Sequence, residues 1–112
     1  MADYDLYNDL SQKTKQLEDA VRRLRTVGSA YAAAEYEYKK KLRIEALKLR
    51  EEGMAIGMIE MTVKGVDAVA NARFKRDVAE VSYKATQDEI NAIKLQMRLL
   101  EAQISREWGI SV

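Results

Sequence analysis

Residues 53–65, GMAIGMIEMTVKG, contain three of the chain's five glycines and decide its fold. The other residues of this 112-residue chain are mostly good helix formers, and the chain has no proline. Glycine ends helices because it adopts the left-handed conformation at little cost. We therefore predict a long helix over about 5–52, a turn with a short helix at 53–65, and a second long helix over about 67–108.

Apolar residues recur with helical spacing on both sides of this turn. In the first long helix they fall within an arc about 100° wide, typical of an amphipathic helix. These positions are Leu6, Leu10, Leu17, Val21, Leu24, Tyr31, Tyr38, Leu42, Ala46 and Leu49. The second long helix carries two such rows. They are Phe74, Val78, Val81 and Ala85, and then Ile93, Met97, Leu100, Ile104 and Trp108.

The connector is short, which favours antiparallel packing of the two long helices. The predicted fold class is therefore all-α, an antiparallel helical hairpin in a single domain spanning residues 1–112. Within the first helix, Gly28 is followed by several alanines, and we interpret this patch as a close helix–helix approach. Glu35 lies along the main apolar stripe. It either faces solvent or forms a register-setting ion pair, and if it is covered it needs a Lys, Arg or Tyr partner.

The apolar surface of this hairpin is too wide for two helices to bury. Extensive exposed rows mark interfaces, so we predict a homo-oligomeric helical bundle or coiled coil. The interface candidates lie outside the main stripe of the first helix or along the C-terminal half of the second. They are Tyr36, Ile44, Leu47, Leu95, Leu99, Leu100, Ile104 and Trp108.

Composition argues against catalysis. The chain has no histidine and no cysteine, which removes the common general base, the thiol nucleophile and most metal ligands. No phosphate-binding loop or nucleophile elbow is present. We predict no catalytic residue, metal site, cofactor or small-molecule substrate, and hence no enzyme. No apolar run approaches the ~20 residues of a membrane span and no signal peptide is evident, so we expect a cytoplasmic protein without a membrane partner.

Charge is distributed unevenly, although 19 basic and 18 acidic residues nearly balance. Residues 21–50 carry nine basic and three acidic side chains. This region supplies the candidate residues for binding nucleic acid or a protein partner, which are Arg22, Arg25, Lys39, Lys40 and Arg43. The alternative is a solvated face that pairs with acidic residues of a neighbouring helix.

Two further interpretations concern the turn. Met54, Met58 and Met61 either form an adaptable partner-binding surface or fill the core at the hairpin tip. A helix-turn-helix over residues 49–77 is another alternative, with Arg73, Lys75 and Arg76 at the DNA.

Three segments carry a family resemblance: EEGMAIGMIEMTVKG, ARFKRDVAEVSYKA and INAIKLQMRLLEAQISREWG. Over roughly residues 36–109 the chain resembles small uncharacterised all-helical proteins of temperate phages and prophages of Gram-positive bacteria. The resemblance implies an origin in an early gene region with replication or recombination functions, and therefore the host cytoplasm. We expect an oligomeric accessory factor that binds a host or phage protein, for instance to counteract host machinery or defence. The alternative is a nucleic-acid-binding accessory protein of phage replication or recombination.

Overall fold

The computed structural model describes residues 3–109 and is helical throughout, apart from short connectors. The helices are α1 (Asp3–Glu51), α2 (Ile56–Val63) and α3 (Asp67–Glu107). No strand occurs within residues 3–109. The all-α prediction is confirmed, as is the prediction of two long helices with a short helix between them. α1 begins two residues before the predicted residue 5 and ends one residue before the predicted residue 52. α3 ends one residue before the predicted residue 108.

Glycine ends α1, as the sequence predicts. Gly53 has a φ of +92°, in the left-handed region that favours glycine. Two backbone hydrogen bonds close this end, from the Gly53 N–H to the Arg50 carbonyl at 3.0 Å and from the Met54 N–H to the Leu49 carbonyl at 3.1 Å. They satisfy carbonyl groups that the end of a helix leaves without partners. Gly109 follows α3 with a φ of +66°.

The chain forms two compact units. Within the described residues, the first unit combines residues 3–26 with residues 84–109, and the second unit comprises residues 27–83. Each unit contains a segment of α1 and a segment of α3. In the first unit the contacts Tyr7–Trp108 and Arg23–Glu89 join rising residue numbers in α1 to falling numbers in α3. In the second unit the contacts Tyr31–Glu80 and Glu35–Arg76 do the same. The predicted antiparallel packing is therefore found in each unit.

The first unit has an aliphatic interior. Its covered positions follow the alternating steps of four and three residues that are typical of coiled coils. On α1 they are Leu6, Leu10, Lys13, Leu17, Ala20 and Leu24, and on α3 they are Thr86, Ile90, Ile93, Met97, Leu100 and Ile104. Ala20, Ile90 and Ile93 are the buried centre of one cluster. Val21 departs from its prediction: it is exposed, because the row passes through Ala20 instead.

The second unit has a mixed interior with the same spacing. Its covered row on α3 is Val69, Ala72, Arg76, Ala79 and Tyr83, and the facing row on α1 contains Gly28, Tyr31, Glu35, Tyr38 and Leu42. Ile59 and Val63 anchor α2 in a core cluster with Tyr38, Val69 and Ala72. The predicted close approach at Gly28 is confirmed, since a Cβ there would lie 3.3 Å from Cε1 of Tyr83.

The apolar row that begins at Phe74 does not face α1. Phe74 is 69% exposed and Val81 68%, and Val78 is also exposed. At ~100° per residue Phe74 and Val81 lie about 160–180° around α3 from the middle of the covered row, and Val78 lies about 140° from it. The physical reason is that bulky Tyr31 and Tyr38 occupy the facing side of α1, and the alanines of α3 leave room for them.

None of the helices within residues 3–109 combines the length and apolarity needed to cross a membrane.

Candidate interaction surfaces

The residues that the structure describes contain no group of three acidic side chains placed to hold a metal ion. Every buried side-chain nitrogen or oxygen among them has a hydrogen-bond partner. No unpaired buried polar atom among these residues therefore indicates a ligand-binding site. The features with potential function are the polar contacts between the helices and the exposed faces.

A tyrosine–glutamate contact joins the two helices of the second unit. The Tyr31 hydroxyl donates to Oε2 of Glu80 at 2.9 Å, and the rings of Tyr31 and Tyr83 lie 5.7 Å apart. The hydrogen bond to Glu80, helped by burial, raises the pKa of Tyr31. It does so because the neutral phenol is the donor, and losing the proton would place a second negative charge beside the carboxylate.

Arg76 is the centre of a second polar contact. Its Nη1 donates to Oε2 of Glu35 at 3.4 Å, and its Nε donates to Oδ1 of Asp77 at 2.8 Å. The guanidinium carbon lies 4.6 Å from the ring centre of Tyr38, a cation–π distance. The hydrogen bond to Asp77, together with that to Glu35, raises the pKa of Arg76.

These contacts settle two sequence-based alternatives. Glu35 is partly covered, and it has the cationic partner that a covered position requires. Lys39 also approaches it, with its Nζ 3.7 Å from Oε1. The helix-turn-helix interpretation placed Arg76 at DNA, and this is wrong for Arg76 because its guanidinium lies against Tyr38 and Glu35.

The first unit has its own ion pair. Both terminal nitrogens of Arg23 donate to the Glu89 carboxylate, at 2.9 and 2.5 Å. This two-bond geometry is the strong form of an Arg–carboxylate contact. The hydrogen bond from Arg23 lowers the pKa of Glu89, and the same contact raises the pKa of Arg23.

Sequence reasoning missed Arg23, Tyr31, Glu80 and Glu89 as a set of partners. The signal that would have found them is register. In an antiparallel hairpin, residues equally distant from the turn lie opposite each other, and this condition brings Glu35 to Arg76 and Tyr31 to Glu80.

The basic residues of α1 are divided between the units and are partly paired. In the first unit Arg22 pairs with Asp19. In the second unit the Lys40 Nζ lies 3.8 Å from Glu37 and 5.9 Å from the Tyr36 ring centre. These pairs are exposed, so each contributes at most about 1 kcal/mol and yields readily to another anion.

Two of the predicted basic residues have no acidic partner among the residues that the structure describes. Within residues 3–109, neither Arg25 nor Arg43 lies within salt-bridge distance of a carboxylate. Both are exposed. Arg43 follows Lys40 and Tyr36 along the outer side of α1 in the second unit.

The methionines of the turn take different positions. Met54 is half-buried against the core cluster, so its side chain fills the hairpin tip rather than presenting a binding surface. Met58 and Met61 point outward, and Met61 is 79% exposed. Ile56 is exposed as well. We call Ile56, Met58 and Met61 the tip surface.

The interface candidates differ in how far they are exposed. Tyr36, Ile44 and Leu47 are exposed on α1 of the second unit. In the first unit, Leu95, Leu99 and Trp108 are exposed on α3. Leu100 is half-buried. Ile104 requires a correction: it is only 8% exposed and offers almost no surface to a partner, because it lies in the covered row of α3.

The chain matches no protein-family model, no curated protein and no solved structure. The resemblance to phage proteins therefore stays a prediction.

Proposed function

We propose that this chain is a non-enzymatic, oligomeric helical interaction protein, an accessory factor of a temperate phage that binds a host or phage protein. The observation that carries this proposal is the tip surface. Ile56, Met58 and Met61 are exposed on one short helix, although apolar side chains of this size gain free energy from burial.

The tip surface is suited to protein recognition in two respects. Met58 and Met61 have flexible, polarisable side chains that adapt to the shape of a partner. The backbone beneath them is fixed, because Ile59 and Val63 on the same helix are buried in the core cluster. Binding of a partner therefore costs little conformational entropy in the backbone of this site.

Affinity capture followed by reconstitution tests this site. The tagged chain is used to capture partners from a Gram-positive host lysate, in parallel with a variant carrying Met58→Gln and Met61→Gln. Val21→Gln with Ala102→Gln is the matched control, since it replaces two exposed apolar side chains of the first unit that are not interface candidates. Each captured protein is then purified and titrated calorimetrically against all three chains.

We expect at least one partner whose affinity falls tenfold or more with the tip variant and by less than threefold with the control. Equal affinities for the tip variant and the unchanged chain would show that the tip surface is not the binding site.

Oligomerisation is the second part of the proposal. Light scattering is expected to give a multiple of the 12.8 kDa chain mass. A monomer over the whole range from micromolar to millimolar concentration would contradict it.

A nucleic-acid-binding role is the second candidate, favoured by the outer side of α1 in the second unit. There an exposed tyrosine, Tyr36, stands beside Lys40 and is followed by the unpaired Arg43. Aromatic rings stack on bases, and cations release counterions from phosphates.

Salt dependence tests this candidate. Binding of single- and double-stranded DNA is expected to weaken steeply between 50 and 200 mM salt and to be lost in a Lys40→Glu, Arg43→Glu variant. Lys15→Glu with Lys94→Glu makes the same charge change at two exposed positions of the first unit and serves as the control. No binding at low salt would exclude this role.

A further inference from the structure

The chain carries its sulfur only in methionine. It has five methionines and no cysteine, so thioethers are its only sulfur groups open to oxidation by a peroxide. Four of the methionines lie within residues 3–109, and they differ in exposure. Met61 is 79% exposed and Met58 is 52% exposed, whereas Met54 and Met97 are half-buried. A peroxide in solution therefore has the best access to Met58 and Met61.

The two exposed methionines lie on the side of α2 that faces away from the core. Ile59 and Val63 bury the other side of this helix in the core cluster. At ~100° per residue, Met58 and Met61 are about 60° apart around α2, and the point midway between them is about 150° from the point midway between Ile59 and Val63. A chemical change at Met58 and Met61 therefore leaves the core contacts of α2 in place.

The two half-buried methionines have a different role. Met54 packs against the core cluster of the second unit, and Met97 packs against the buried cluster of the first unit. A sulfoxide at either position would place a polar group in an interior. Oxidation of Met54 or Met97 would thus damage the fold, whereas oxidation of Met58 and Met61 changes a surface.

We propose that Met58 and Met61 are a reversible oxidation site that controls the tip surface. A peroxide converts both thioethers into sulfoxides, the tip surface becomes polar, and the protein partner dissociates. This inference rests on the proposed function, because it adds the regulation of the same surface.

The oxidation needs no catalytic group of the chain. The sulfur lone pair attacks one oxygen of the peroxide, and the sulfur–oxygen bond forms as the oxygen–oxygen bond breaks. The proton of the transferred oxygen passes to the leaving hydroxide, which departs as water. Sulfur loses two electrons and the peroxide gains them. Methionine sulfoxide reductases reverse the change, with a dithiol that becomes a disulfide while the sulfoxide oxygen leaves as water.

A sulfoxide loses the properties that suit methionine to this surface. The thioether is apolar and flexible, and it gains free energy when a partner covers it. The sulfoxide oxygen is a hydrogen-bond acceptor, and covering it without a donor costs free energy. Met58 and Met61 are two of the three residues of the tip surface, so their oxidation changes most of it.

Peptide mapping by mass spectrometry tests the site after graded exposure of the full chain to hydrogen peroxide. We expect Met58 and Met61 to be oxidised at least about fivefold faster than Met54 and Met97. At the dose that oxidises only Met58 and Met61, circular dichroism melting should show a shift in Tm of less than about 3 °C. Equal rates at all four methionines, or unfolding at that dose, would overturn the inference.

Hydrophobic-interaction chromatography tests the change in polarity without any partner. After removal of the peroxide, the oxidised chain should elute earlier from phenyl-agarose than the unchanged chain. Treatment with the reductases and a dithiol should restore the retention. The matched control carries Met58→Leu and Met61→Leu, which keep the tip surface apolar without sulfur, so peroxide should leave its retention unchanged. Equal retention of the oxidised and unchanged chains would contradict the change in polarity.

Titration against the purified tip-dependent partner tests the control of binding. We expect oxidation to raise the dissociation constant tenfold or more for the unchanged chain and less than threefold for the leucine control, with recovery after reduction. This result supports both the inference and the proposed function. Selective oxidation with unchanged affinity overturns the inference and leaves the proposed function standing. If no partner depends on the tip surface, the proposed function is wrong and the control of binding is wrong with it.

Discussion

In the first unit α1 and α3 meet through aliphatic side chains, whereas in the second unit they meet through tyrosines, a glutamate and an arginine. The spacing of the covered positions is the same in both. The hydrophobic effect has no preferred direction, so aliphatic contacts tolerate a shift in the register of α1 against α3. Polar contacts such as Glu35–Arg76 lose their partners when the register shifts. The covered polar contacts of the second unit therefore tie α1 and α3 to one register, whereas in the first unit the more exposed Arg23–Glu89 pair has this role.

The largest expected effect is on the aliphatic interior. Ile93→Ala should lower the free energy of unfolding by about 3 kcal/mol, because Ile93 is buried in the first unit and the truncation leaves a cavity. Urea denaturation followed by circular dichroism measures this. Asn91→Ala on the same helix is the control and should change stability by less than about 0.5 kcal/mol, since Asn91 is exposed and is not an interface candidate. Equal losses for the two variants would contradict the assigned interior.

The next effect concerns the polar interior. Arg76→Met should lower the free energy of unfolding by about 2 kcal/mol, because it leaves the partly covered Glu35 carboxylate with only Lys39. Adding Glu35→Leu should recover most of this loss, since an apolar pair replaces the ion pair. The same urea titration compares the three chains. If Arg76→Met were neutral, the polar contacts would not contribute to the second unit.

A smaller effect distinguishes a crowded glycine from an open one. Gly57→Ala should stabilise the chain by up to about 1 kcal/mol, because nothing lies within 4 Å of the added Cβ and alanine favours helix. At Gly28 the same gain is opposed by the Tyr83 ring, which must move by a few tenths of an ångström. We expect Gly28→Ala to fall within about 0.5 kcal/mol of the unchanged chain. Thermal melting measures both, and equal stabilisation would show that the helices do not approach closely at Gly28.

The smallest effects are in the pH dependence, and they have opposite signs in the two units. The lowered pKa of Glu89 means that Arg23–Glu89 stabilises the first unit above the ordinary pKa of 4.5 and that this contribution is lost as pH falls through the lowered value. The raised pKa of Tyr31 means that Tyr31–Glu80 contributes fully below the ordinary pKa of 10.0 and is lost as pH rises through the raised value.

Two variants read out these contributions separately. The difference in stability between the unchanged chain and Glu89→Gln should vanish in acid, and the difference from Tyr31→Phe should vanish in alkali. Denaturation at a series of pH values measures both. A difference that persists unchanged at either extreme would contradict the corresponding contact.

The helices themselves could be predicted from the sequence because their ends are marked locally. The absence of proline and the glycine at position 53 are sufficient to place the end of α1. The orientation of α3 could not be predicted in this way. Phe74 and Val81 are more apolar than Ala72 and Arg76, yet Ala72 and Arg76 face α1. The choice depends on the bulk of Tyr31 and Tyr38 on the other helix, which periodicity within one helix does not reveal.

For the candidate surfaces, the sequence indicated the apolar residues but not which of them are exposed. The spacing of Met54, Met58 and Met61 predicts one short helix that carries all three. In the structure Met54 lies before α2 begins at Ile56 and packs half-buried against the core, whereas Met61 points outward. Ile104 and Leu99 look alike in the sequence. They differ because the steps of four and three residues bring Ile104 into the covered row and Leu99 out of it.

The edge-to-face contact between Tyr7 and Trp108, whose ring centres lie 6.2 Å apart, has a practical consequence. Trp108 is the sole tryptophan of the chain and belongs to the first unit. Its fluorescence emission therefore reports the environment of one unit, while ellipticity averages over every peptide group. Overlaying the two signals during denaturation shows whether the halves of the molecule melt together or in sequence.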